Sequence, residues 1–274
     1  MVVQQPPIKF QVVHKRVEDM EALPEKVDIL ISEWMGFYLL HESMLDSVVK
    51  ARDVHLKDDG IMMPSRAKIY ASACSLADLR ASTVDYWKDV YGFNMSILQK
   101  EALKRTKPEI VVISPDSLLS DPVEVHDLDL CTVTCDDLSN ISSKKFVSVN
   151  NNANFQGLAI WFDVQFDYWA EGWTNVTLDT SPMALPTHWK QTIIPLFRDS
   201  IEEESVEQDE IVGWQLSLAR TMDARQYGIQ VEVLDPAEVE HPVPCGCKSA
   251  KCTLISALLA QEDTEDIDEL DGIE

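Results

Sequence analysis

Glycine is scarce in this 274-residue chain: nine residues, widely separated, with no Gly-x-Gly anywhere. A backbone that must close tightly on a cofactor needs glycines in such a turn, so a complete cradle of that kind is not encoded in these residues. Long apolar runs are also missing. No stretch approaches the roughly 18 apolar residues of a membrane-spanning helix. The opening MVVQQPPIKFQVV has no basic segment followed by an apolar one, so no secretory signal is expected, and a soluble intracellular protein is. Positive charge is short as well: 23 Lys and Arg against 47 Asp and Glu leave a net charge of −24. A surface of that sign repels nucleic-acid backbones and suits basic peptides, with plain solubility as the blander account.

Apolar residues make up 45% of the chain, ample for a core, and the length suits about two domains. Acids concentrate in Glu202 to Glu210 and in Glu262 to Glu274, and the second run has too little apolar surface to pack. Six cysteines in an intracellular chain are expected as free thiols. Three of them, Cys245, Cys247 and Cys252, form Cys-Gly-Cys-x4-Cys. Zinc usually takes four ligands, so the favoured expectation is a thiol-bearing loop without metal, although His241, four residues upstream, could complete a site.

Val27 to Ile31 (VDILI) is a short apolar run expected as a strand buried on both faces, as in a parallel sheet. Phe10 to Val13 (FQVV) is expected as its neighbour, with a connection or small helical turn between them. Leu40, Met44, Ser47, Val48 and Ala51 recur at helical spacing. Asp59-Gly60 reads as the stop, with Gly60 in a left-handed position. From Ile61 the period changes to two. Leu158 to Phe166 (with Ala159, Trp161, Asp163 and Gln165 between), Val212 to Leu218 and Tyr227 to Val233 each read with a period of two, as half-buried antiparallel strands do. The C-terminal two-thirds is therefore a β-barrel or sandwich, interrupted by a helix-like insertion from Leu76 to Leu103.

The segment ISEWMGFYLLHESML puts Glu33 at the carboxyl end of the first strand, where open α/β sheets bind ligands. Glu42 lies near the start of the next helix, and Gly36 permits the chain to fold back between them. Two carboxylates facing one partly apolar pocket are costly unless a cation sits between them. A guanidinium, planar and always charged, is the natural guest. Trp34, Met35, Phe37, Tyr38 and Met44 would exclude water from the pair. For acids at this spacing alone, a loop cap and a solvated helix acid remain the simpler account.

VDILISEWMGFYLLHESMLDSVVKARD closely resembles the double-glutamate loop of the protein arginine methyltransferases. SPMALPTHWKQTIIPL resembles that family's Thr-His-Trp loop, at Thr187, His188 and Trp189. LKDDGIMMP, WKDVYGFNMS and GLAIWFDVQF resemble further family segments, and the similarity runs from about Phe10 to Val233. LLHESML and AIWF resemble the protein arginine N-methyltransferase 6-like branch.

The resemblance implies transfer of a methyl group from S-adenosylmethionine to arginine side chains of proteins, with asymmetric dimethylarginine as product. It implies that Glu33 and Glu42 clamp the guanidinium. Trp34, Met35 and Met44 would line the pocket, His188 would brace it, Trp189 would pack behind a glutamate, and Glu18 would contact the cofactor. The implied fold is the C-terminal part of a Rossmann-like methyltransferase domain (1–64), then a β-barrel substrate-binding domain (65–260) with a dimerisation arm at 76–103, then an acidic tail (261–274). Histone-like or Arg/Gly-rich proteins are the implied partners, and nucleus or cytoplasm the location. Neither nucleic acid nor membrane is an expected partner. Family members carry a Gly-rich turn and helices upstream of the matching residues. The expectation is thus an N-terminally truncated chain that self-associates weakly, because the arm docks partly on those helices. The alternative is an inactive short form that binds arginine-rich peptides or pairs with other subunits.

Overall fold

The computed structural model describes residues 9–167, 174–197, 205–222 and 225–259. The expected tail therefore lies outside the described residues. Strand β1 (Val27–Ile31) leads through a loop to helix α1 (Leu45–His55), which passes directly into β2 (Leu56–Met63). The two strands pair in parallel, as the strand–helix–strand order requires. Helix α1 buries Leu45, Val48 and Val49 on one face.

Three expectations are corrected here. Phe10 to Val13 is not a strand: these residues have no ladder partner among the described residues, and Phe10 and Val12 are exposed. Residues Asp59 and Gly60 do not stop a helix. They lie inside β2, and the register between β1 and β2 slips between Val27 and Ile29. Gly60 is needed for close approach rather than for a left-handed backbone, since a Cβ there would lie 2.6 Å from Leu56 Cδ1 and 2.9 Å from the Lys57 carbonyl oxygen. Finally, β1 is not covered on both faces: Ile29 and Ile31 are exposed, Ile31 by 75%.

A cis Met63–Pro64 peptide leads into the antiparallel part. Its strands are β3 (Arg66–Cys74), β4 (Glu109–Val111), β5 (Val123–Asp129), β6 (Asn140–Ser148), β7 (Ala153–Asn154), β8 (Gly157–Phe166), β9 (Val176–Asp179), β10 (Gln191–Pro195), β11 (Ser205–Val206), β12 (Ile211–Arg220) and β13 (Tyr227–Leu234). One sheet runs β4-β10-β8-β3-β5, with β9 added beside β8. A second runs β13-β12-β6, and β7 pairs with β11. The three period-two runs of the sequence are β8, β12 and β13. β8 is buried along most of its length on both faces, because β3 and β10 flank it and apolar clusters lie on either side.

The helix-like insertion is α2 (Ala77–Thr83) and α3 (Gln99–Lys104) with short 3-10 turns between. Its own small interior holds Val84, Leu103, the Arg80 guanidinium beside Asp85 (3.6 Å), and Gln99, whose amide donates to the Val84 carbonyl (3.3 Å).

The main apolar cluster joins the two parts. Trp34, Met35, Tyr38, Leu39 and Leu40 of the loop after β1 share one core with β3, β8 and β12 through Ile69, Phe162, Trp214 and Leu216. The loop carrying Glu33 and Glu42 is thus built into the barrel's interior. An ion pair from Asp46 of α1 to Arg220 of β12 (2.8 Å) fastens the same junction, and Arg220 also donates to the Tyr227 hydroxyl (3.2 Å).

Candidate active site

The site begins where β1 ends. The Ser32 amide donates to the Met63 carbonyl (3.0 Å), extending the parallel ladder by one step and placing Glu33 at the strand's carboxyl end. The chain then reverses abruptly. Gly36 and Leu39 exchange two backbone hydrogen bonds of 2.9 and 3.1 Å, and the His41 amide donates to Phe37 (3.2 Å). Gly36 lies against the His41 backbone so closely that no side chain fits.

This loop stores backbone strain. Of eight non-glycine residues with positive φ among the described residues, Tyr38, Leu39, Glu42 and Ser43 are four. Each such residue costs on the order of 1 kcal/mol, and such strain clusters at functional sites. It is held by burial: each of Trp34, Leu39 and Leu40, packed inside, contributes about 1.5–3 kcal/mol. Of the four strained residues, Tyr38 and Leu39 are themselves buried, Ser43 is half-buried, and Glu42 faces solvent. Glu33 and Glu42 are both exposed, and the Glu42 amide donates to the Arg225 carbonyl (2.9 Å).

The second loop meets the first. Trp189 donates its indole N–H to the Met35 carbonyl at 2.8 Å, across 154 residues of sequence. Its ring packs edge-on against Phe162 of β8 (5.8 Å), and the exposed His188 ring lies tilted against it (3.8 Å). Trp189 therefore braces the Met35 backbone. Trp34 and Met35 are buried, whereas Met44 is 40% exposed beside Glu42 and Leu45. Three buried polar atoms on these two loops have no hydrogen-bond partner among the described residues: the Trp34 indole nitrogen, the Ser43 hydroxyl and the Thr187 hydroxyl.

Glu18 meets helix α1. It lies in a 3-10 turn (Val17–Asp19), accepts a short hydrogen bond from Ser47 of α1, and pairs with Arg16 at 3.4 Å. The Ser47 bond, helped by the residue's own amide and by Arg16, holds its carboxyl below the usual range. Sequence reasoning missed Ser47, Arg225 and the Tyr38 hydroxyl, which bonds His41 Nδ1 at 3.1 Å. None of them carries a motif; only the folded chain shows what they touch.

Comparison with known proteins shows the chain's family. Residues 65–235 match the model of the arginine methyltransferase oligomerization subdomain. A probable protein arginine N-methyltransferase 6.1 of Oryza sativa subsp. indica is 37% identical over 241 residues, covering 78% of this chain and 61% of the relative. Protein arginine N-methyltransferase 6 of Xenopus tropicalis is 39% identical over 213 residues, covering 75% and 59%. Among solved structures, the Trypanosoma brucei PRMT1 enzyme–prozyme heterotetrameric complex with AdoHcy superposes with a TM-score of 0.69 at 27% identity, over 83% of this chain and 69% of that one. The chain spans about three-fifths of the length of the curated relatives it matches. With the family model covering most of the chain and both hallmark loops meeting at one site, the chain belongs to the protein arginine methyltransferase family.

Proposed function

We propose that this chain supplies the arginine-holding site of a protein arginine N-methyltransferase that uses S-adenosylmethionine. The observation that carries the reading is the Trp189–Met35 hydrogen bond, which locks the Thr-His-Trp loop onto the double-glutamate loop. Glu33 and Glu42 leave the two ends of a reversal fixed at Gly36 and His41, and both face solvent where a peptide can reach them. Two carboxylates on one guanidinium draw its positive charge toward the bound nitrogens. The remaining nitrogen is then the better nucleophile and is held in line, so alignment and electrostatics supply most of the acceleration. His188 and Trp189 position this pocket rather than exchange protons.

The residues present fit the guanidinium end better than the cofactor end. Glu18, already oriented by Ser47, would meet the nucleoside, while no Gly-x-Gly turn stands ready for close backbone contact. When bound, the cofactor supplies an electrophilic methyl group on a sulfonium. Arg/Gly-rich and histone-like segments are the substrates the acidic surface favours, and asymmetric dimethylarginine is the proposed product.

The matched subdomain is described as an oligomerization element, and a similar protein assembles as a heterotetramer. The insertion exposes Tyr91 (94%) and Phe93 (68%) beside Ile97. These features support pairing of subunits through this arm, rather than the weak association expected from sequence.

A radiolabelled-methyl assay on an Arg/Gly-rich peptide, run with this chain joined to a complete cofactor-binding half, tests the reading. Glu33→Gln should lower transfer by about 10²–10³-fold, the usual cost of losing one preorganised electrostatic group. Undiminished turnover in that variant would end the clamp model. Peptide binding that needs Glu33 without any methyl transfer would instead favour an arginine-peptide-binding module.

A further inference from the structure

A second chemical cluster lies beyond the family-matched residues. After β13 the chain crosses beneath β6 and ends its described course in a helical stretch at 250–259. On the way it gathers His241, Cys245, Cys247 and Cys252, whose ligating atoms all lie within 4.8 Å of one another. From His241 Nδ1 the sulfurs are 3.6 Å (Cys245), 3.3 Å (Cys247) and 3.4 Å (Cys252) away.

Ordinary hydrogen bonding does not account for this convergence. A neutral imidazole nitrogen has one lone pair and accepts one hydrogen bond well, yet three sulfurs crowd this one. A disulfide between two of the cysteines would leave the third unpaired, and all three are free thiols here. Tetrahedral zinc does account for it. With Zn–N near 2.1 Å and Zn–S near 2.3 Å, the ligand nitrogen and sulfurs stand about 3.6 Å apart. The cluster already has that spacing.

The surroundings fit the same ion. His241 Nε2 lies 3.1 Å from the Pro236 carbonyl. Donation there fixes the tautomer and leaves Nδ1 unprotonated, the usual outer partner of a metal-bound histidine. Phe146 of β6 stacks flat on the imidazole at 3.8 Å. Cys247 and Cys252 are buried, and the Ser249 hydroxyl bridges the Cys247 thiol and the Cys252 amide, each at 3.3 Å. The apolar cluster beneath is small, with Phe146, Cys247 and Cys252 as its buried members. Such a segment gains most from a staple.

We propose that His241, Cys245, Cys247 and Cys252 bind one zinc ion in a closed structural site that fastens the segment after β13 onto β6. Four protein ligands leave no open position, so the site is not catalytic. It replaces the thiol-bearing loop expected from the three local cysteines with a site that His241 completes. Metal affinity should fall with pH as the thiolates and the imidazole take up protons.

The test uses the full chain, reduced, stripped with chelator and titrated with Co²⁺. The expected result is a thiolate-to-cobalt charge-transfer band that saturates at one ion per chain and is displaced by one equivalent of Zn²⁺. Zinc should also raise the thermal midpoint. Cys252→Ser and His241→Ala should lose or weaken the band, His241→Cys should retain it, and Cys131→Ser with Cys135→Ser, elsewhere in the fold, should leave it unchanged. A folded, reduced wild-type chain that shows no such band and takes up no zinc overturns the proposal. So does a His241→Ala variant that binds as tightly as the wild type. The wild-type titration decides the matter even where a variant fails to fold. None of these readouts involves methyl transfer, so the zinc site and the arginine site stand or fall separately.

Discussion

A Cβ built on Gly36 falls 1.9 Å from the His41 carbonyl oxygen, a backbone atom that cannot swing aside. Gly36→Ala must therefore open the reversal, and the expected loss is about 1–3 kcal/mol in urea unfolding together with weaker binding of arginine peptides. Trp189→Phe keeps the ring's packing and removes its N–H. The Met35 carbonyl is left without its donor, which costs about 1–3 kcal/mol where it is buried. In the chain joined to a complete cofactor-binding half, methyl transfer should fall in this variant with little change in cofactor affinity, a split that separates pocket bracing from cofactor binding; equal losses in both would argue against it. How much of this was readable beforehand differs by residue. The acids and the Trp-Met-Gly turn between them are plain in the sequence. The left-handed backbone at Tyr38, Leu39, Glu42 and Ser43 is not, because none of these residue types advertises it. The Trp189 contact needs two strands of an unrelated sheet to bring it home.

The antiparallel elements were the readable part of the fold. β12 and β13 announce themselves through alternation, since each has one face on the main core, whereas β8, expected half-buried, is buried on both faces because Ala159 and Trp161 pack into a second cluster. β2 was hidden because Lys57-Asp58-Asp59-Gly60 has the chemistry of a turn, and only pairing with β1 makes it a strand. Phe10 to Val13 has strand chemistry but no partner among the described residues, so it forms none. The pairing of β3 with β5 has a measurable signature. Arg66 bonds Asp127 at 2.6 Å, and with Lys68 nearby holds its carboxyl below the ordinary value. A depressed folded value stabilises the protein above the unfolded one, near pH 4, and that contribution is lost as pH falls through the folded value. Asp127→Asn should therefore lower stability at neutral pH and flatten the acid limb of a denaturation profile below pH 4; a parallel shift at every pH would contradict this. In the arm, Tyr91→Asp with Phe93→Asp should halve the mass of an assembled pair in light scattering, since both side chains stand in solvent here.

Charge belongs to the molecule rather than to any element. A net −24 attracts basic segments over distances of about a Debye length, roughly 10 Å at 0.1 M salt. Peptide affinity should weaken steadily as salt rises, mostly through slower association; an affinity indifferent to salt would assign recognition to the two glutamates alone. Calorimetry with S-adenosylmethionine should show no micromolar binding, because the 274 residues contain no Gly-x-Gly turn to approach it. The parallel pair of β1 and β2 carries a further consequence. Ile29 and Ile31 stand in water beside backbone groups that no strand takes up among the described residues. Such a margin is a template: at high concentration it recruits any extended segment with matching apolar teeth, so turbidity on standing should be suppressed by Ile31→Lys, which puts a cation where a neighbour would have to lie.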